Sequence, residues 1–95
     1  MNISPLNISD YLDSEEMIAT YLNTVLTEGN EDELVVAIGH VARAIGMGKI
    51  AQQTGMSRTS LYKAFAEGAN PQFQTIIKVL KSFGNTLEVG VLTKS

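Results

Sequence analysis

The fold turns on residues 47–67, MGKIAQQTGMSRTSLYKAFAE. Ile50 and Ala51 open a short helical pattern, expected over residues 49–54, which Gly55 stops because glycine takes the left-handed conformation of a helix end at no steric cost. Ser57 is a capping residue, and the spacing predicts a second helix through Leu61, Tyr62, Phe65 and Ala66. Gly55-Met56-Ser57 alone separates the two. Ala51, Gly55 four residues on and Leu61 six beyond it have the spacing of a helix-turn-helix, whose two helices cross at roughly a right angle. Ala51 is small enough to admit the second helix, while Ile50, Met56 and Leu61 fill the shared core.

The second helix turns Arg58, Thr59, Ser60, Tyr62 and Lys63 outward, concentrated at its N-terminal end. That end of a recognition helix meets base edges in the major groove. Arg58 has the fork to bond guanine in bidentate fashion, Thr59 suits a thymine methyl or a base edge, and Ser57 and Ser60 reach phosphate or base. Lys49, Gln52, Gln53 and Lys63 are expected near the sugar-phosphate backbone, where free amides at the helix starts also favour phosphate. Tyr62 is read as partly packed, with its hydroxyl outward. The bland alternative is a cationic helix in a small α-helical domain that never touches DNA.

Outward from this stretch, the chain reads as helices. Residues 1–13 lack a sustained period and form an N-terminal arm, with Leu6, Ile8, Tyr11 and Leu12 available to pin a short turn onto the body. Asp13 and Glu16 make a capping box, and Met17, Ile18, Tyr21, Leu22, Val25 and Leu26 recur at helical spacing until Gly29. Asn30 and Glu33 repeat the box before a second stripe, Leu34, Val35, Ile38, Val41, Ala42 and Ile45, that ends at Gly46. Gly39 inside that helix implies close approach of another helix. Residues 68–71 form a loop, and Phe73, Ile76, Ile77, Val79, Leu80 and Phe83 mark a fifth helix closed by Gly84. Leu87, Val89 and Val91 then alternate with Glu88 and Gly90, which predicts a strand over residues 87–92. The expected organisation is an arm at 1–13, a helical domain at 14–84 with the helix-turn-helix at 48–66, and a strand and tail at 85–95.

Ninety-five residues and 10.3 kDa allow one domain. With no Cys, disulfides and thiolate zinc sites are excluded, and the chain is expected in the cytosol. The opening thirteen residues carry Asp10 and Asp13 but no Lys or Arg, so no signal peptide is expected, and the sequons at Asn2 and Asn7 are chance matches. A net charge of −3 hides a division. Residues 1–42 hold eight acids and no Lys or Arg, whereas residues 43–95 hold all seven basic residues against Glu67 and Glu88. Two surfaces with different partners, the basic one facing a polyanion, would use that asymmetry; ordinary solvated helix faces would also produce it.

Catalytic and cofactor patterns fail. Gly46, Gly48 and Ala51 match a dinucleotide fingerprint only weakly, since a helix and not a strand precedes them. Gly48-Lys49 is no P-loop, because Arg43 and Ile50 stand where Gly and Ser or Thr belong. His40, the sole His, has no second ligand at metal spacing and is read as a helix-surface or hairpin-packing residue. Ser60 and Tyr62 have no base in helical reach except Lys63, so no catalytic set, cofactor site or metal site is expected.

An ordered set of residues, Gly46-Met47, Ile50-Ala51, Gly55, Ser57-Arg58, Ser60-Leu61-Tyr62-Lys63-Ala64, Asn70-Pro71, Phe73, Thr75 and Val79-Leu80-Lys81, resembles the addiction-module antidote proteins. These are the HigA-like antitoxins with a λ-repressor-type helix-turn-helix. Asp10-Tyr11-Leu12, Tyr21-Leu22 and Ala42-Arg43-Ala44 extend the resemblance over nearly the whole chain. It implies an all-α, λ-repressor-like bundle of about five helices with an N-terminal extension and one C-terminal strand. It also implies a bacterial, cytoplasmic antitoxin of a type II module that binds a small basic RelE/ParE-like toxin and represses the shared operon as a homodimer on operator DNA. Such a dimer reads half-sites about 34 Å apart and joins the nucleoid when bound. A stand-alone helix-turn-helix regulator without a toxin is the alternative. Gly48 and Lys49 replace the family's polar cap and Gln, and Thr59 stands where the family often has an acid, which makes this helix more cationic. A basic toxin would be drawn to the acidic helices of residues 14–33 or add a strand to the edge at 87–92, an edge equally suited to dimerisation.

Overall fold

The two longest helices begin where a short polar side chain accepts an amide that the helix itself leaves unpaired. In the computed structural model, which describes residues 14–88, helix α1 (Glu15–Glu28) is capped by Ser14, whose Oγ accepts from the Met17 amide at 3.1 Å. The cap therefore falls one residue later than the Asp13–Glu16 box predicts, and Asp13 lies outside the described residues. Starting there places Glu15 and Glu16 together in the first turn, where the helix dipole favours anions. Helix α2 (Glu31–Ile45) starts as read, with Asn30 Oδ1 accepting from the Glu33 amide at 2.9 Å.

Gly46 does the work of two residues. Its amide donates to the Ala42 carbonyl at 2.9 Å and its carbonyl accepts from the Ile50 amide at 3.0 Å, so it closes α2 and opens α3 (Met47–Thr54). Its φ of 123° is a conformation that side chains rarely adopt, and across it the helix axes turn through 103°. Because one residue serves both ends, α3 starts at Met47, two residues earlier than expected. Gly55, left-handed at φ 76°, ends α3 as its spacing predicts. Ser57 then caps α4 (Arg58–Ala64), its Oγ accepting from the Ser60 amide at 3.0 Å. The expected run through Ala66 stops short, because Phe65 leaves the helix to be buried beneath α2. There Gly39 leaves room for it: a Cβ at Gly39 would stand 3.1 Å from Phe65 Cβ. The close approach expected at Gly39 is thus made by the end of α4.

α5 (Phe73–Ser82) is the last of five helices that make up the regular structure among the described residues, in which α1 packs on α2, α2 on α3 and α5, and α3 on α4 and α5. Ile38, Val41, Ile50, Leu61 and Val79 are fully enclosed at its centre. The short helices depend on this. At eight and seven residues they fall below the roughly 12–15 that an isolated helix needs in water, so burial of Ile50 and Leu61 holds them in place. Phe73, expected in the core stripe of α5, is instead 65% exposed, because it sits in the first turn, beyond the reach of the central cluster.

The strand expected from Leu87 is not borne out. Among the described residues there is no strand; Leu87 and Glu88 lack regular structure, and residues 89–92 lie outside the described chain. The physical reason is that a strand needs a partner for its amides and carbonyls, and the described neighbours of Leu87 and Glu88 are helices. The segment after α5 is held differently: Asn85 Nδ2 donates to the Glu15 carbonyl at 3.2 Å, tying it to the start of α1. Among the described residues no single helix is long and apolar enough to cross a membrane.

Candidate nucleic-acid interface

Helices α3 and α4 divide their residues cleanly. Ile50 and Leu61 are fully buried, whereas all nine residues expected to meet DNA, Lys49, Gln52, Gln53, Ser57, Arg58, Thr59, Ser60, Tyr62 and Lys63, are exposed. A helix of seven residues with one buried side chain, Leu61, has most of its circumference free. None of the polar groups is consumed by the core.

The geometry assigns these groups different freedom. Ser57 Oγ is occupied twice, accepting from the Ser60 amide and donating to Ser60 Oγ at 2.9 Å. Its oxygen is therefore committed to holding the start of α4, while Ser60 keeps its own hydroxyl proton for an outside acceptor. Arg58 does not project straight out from α4. Its guanidinium lies across the first turn of α3, where a Cβ at Gly48 would stand 3.0 Å from Cζ and 3.1 Å from Nε. Gly48 thus makes the seat for the arginine of the next helix. The Arg58 cation of α4 is thereby brought to the start of α3, which lacks any side-chain cap.

One residue escaped the assignment of roles. Arg43, in the last turn of α2, sets its guanidinium carbon 5.9 Å from the centroid of the Tyr62 ring, within cation–π range. Tyr62 is 48% exposed, so the pair forms part of the surface and extends the cationic face from α4 onto α2. Sequence signals for Arg43 are its place as the first base after the acidic half and its place in the Ala42-Arg43-Ala44 run; no periodicity links it to Tyr62, because the contact crosses helices.

The acids lie elsewhere. Glu31, Asp32 and Glu33 occupy the first turn of α2, at the opposite end from Arg43. His40 is exposed on α2, as a helix-surface residue. Tyr21, half-buried on α1, has its phenol pushed above the usual tyrosine range by burial. Among the described residues no charged or polar side chain is buried, and no three His, Asp or Glu side chains gather at metal-binding spacing.

A family model described as "Probable addiction module antidote protein" matches residues 2–91 of this chain. An uncharacterized protein of Haemophilus influenzae (strain ATCC 51907 / DSM 11121 / KW20 / Rd) is 39% identical over 87 residues, covering 92% of this chain and 90% of its own. No solved structure matches.

Proposed function

The chain belongs to the family of probable addiction module antidote proteins, and from that premise we propose that it is the antitoxin of a type II module that neutralises a RelE/ParE-like toxin and represses its own operon as a DNA-binding homodimer. An antidote acts by countering a partner, so a toxin is the implied partner. The observation that carries the DNA half of the proposal is the division within α3 and α4: nine polar or amphipathic residues outward, Ile50 and Leu61 inward.

In this reading α3–Gly55-Met56-Ser57–α4 is a helix-turn-helix. A helix of about 10–12 Å diameter fits a major groove about 12 Å wide. α4 enters by its N-terminal end, with Arg58 swinging from Gly48 to a guanine edge, and Thr59 and Ser60 beside it. Lys49, Gln52, Gln53 and Lys63 position the helix on the phosphates, and Arg43 with Tyr62 adds a further cationic contact. The acids that start α1 and α2 would repel phosphate, which leaves the α3–α4 side as the face toward DNA.

The test is fluorescence anisotropy with the duplex immediately upstream of this protein's reading frame and a scrambled duplex, each at two salt concentrations. A preference of about 10³-fold or more for the upstream duplex is expected. Equal binding of both duplexes overturns the repressor reading.

A further inference from the structure

We infer that the groove between the α1–α2 hairpin and the turn after α4 is the docking surface for the toxin, and that its occupant is a basic segment carrying an apolar anchor; this rests on the antidote reading above. Two grooves cross the molecule. The smaller, about 380 Å³, runs between α1 and residues 84–88 and abuts both ends of the described chain. The larger, about 850 Å³, is lined by α1, α2 and residues 66–70, and includes none of the residues that border the undescribed ends. Its size lies within the roughly 300–1,000 Å³ of small-molecule pockets, room enough for a few side chains.

The chemistry of the larger groove selects its occupant. Val25, Val35 and Val36 give it an apolar floor, and Val36 is 43% exposed in a helix whose other two valines are buried, Val41 fully and Val35 partly. Asp32, Glu33 and Glu67 rim it, and no Lys or Arg lines it. The helix dipole accounts for Asp32 and Glu33, which start α2, but not for Glu67, which comes from the opposite wall in the turn after α4. Carboxylates converging from two walls over exposed valine suit a partner with cations around an apolar side chain. Every Lys and Arg of this chain follows residue 42, and among the described residues none lines this groove, so its carboxylates are open to a partner's charges.

The experiment is calorimetric titration of the full chain with the protein encoded by the basic reading frame beside its own. The comparison is between wild type, a Val36→Arg/Glu67→Lys double variant, and a Glu16→Lys/Leu26→Arg double variant of the smaller groove. All four positions are exposed, and circular dichroism melting verifies that each variant folds. Loss of about tenfold or more in affinity for the first variant, with the second like wild type, is the expected result. Wild-type affinity in the first variant overturns the groove assignment and leaves the antidote reading standing. Failure of the wild-type chain to bind the neighbouring basic protein, or absence of such a reading frame, removes the antidote reading and this inference together.

Discussion

The α1–α2 hairpin and the α3–α4 pair are each two helices on a short link, yet they are stabilised in different ways. The hairpin has helices of 14 and 15 residues, side-chain caps from Ser14 and Asn30, and acids in both first turns. The pair has helices of eight and seven residues, no acid in either first turn, and a side-chain cap at α4 alone. Local chemistry supports the hairpin from within, whereas the pair is held by a few buried anchors supplied to a core that α2 and α5 complete. The difference shows which polar residues are free for another task. In the hairpin, polar side chains at the helix starts already serve capping and dipole complementarity, so their exposure alone assigns them no partner; the convergence of Glu67 on Asp32 and Glu33 is what singles out that groove. In α3 and α4 most of them serve no folding purpose, which is why their exposure points to a partner.

Substitution in the two regions tests that contrast directly. Leu61→Ala is expected to have the largest effect, about 2–5 kcal/mol of stability by urea denaturation, since it empties a fully buried position that anchors α4. A loss well under 1 kcal/mol would mean that α4 is not held by its anchor, and the contrast would fail. Next, Arg58→Ala should cost about 1–3 kcal/mol of affinity for the upstream duplex and leave the urea midpoint unchanged, whereas Lys63→Ala weakens all duplexes alike. If Arg58→Ala lowers upstream and scrambled binding equally, its role is phosphate contact and not base reading. The smallest effect sharpens the other side: Asn30→Ala should remove about 1 kcal/mol of stability through loss of its bond to the Glu33 amide. Duplex affinity should stay at the wild-type level in that variant, as anisotropy will report.

Much of the fold was legible because its determinants act over a few residues. Asn30, Ser57 and Gly55 each do what their chemistry predicts at their positions. The buried set Ile18, Leu22, Ile38, Val41, Ile50 and Leu61 follows the helical periodicity. Leu87 and Glu88, which open the expected strand but lack regular structure, show where that logic stops, for alternation specifies a strand only where another is present to pair with it. Gly46 shows a subtler limit: the sequence marks a helix end there, but sharing one glycine between two helices depends on the 103° turn that packing requires.

By itself, then, the order of residues determined the five described helices, the caps at Asn30 and Ser57 and the nine polar side chains left outside on α3, α4 and the link between them. Tertiary structure decided what meets across elements. It laid Arg58 over Gly48, brought Arg43 onto Tyr62, fitted Phe65 beneath Gly39 and set Glu67 across from Asp32 and Glu33. The reason is physical: capping and periodicity act within about four residues along the chain, while these contacts join residues 10 to 35 positions apart and exist only after the core has fixed the angles between helices.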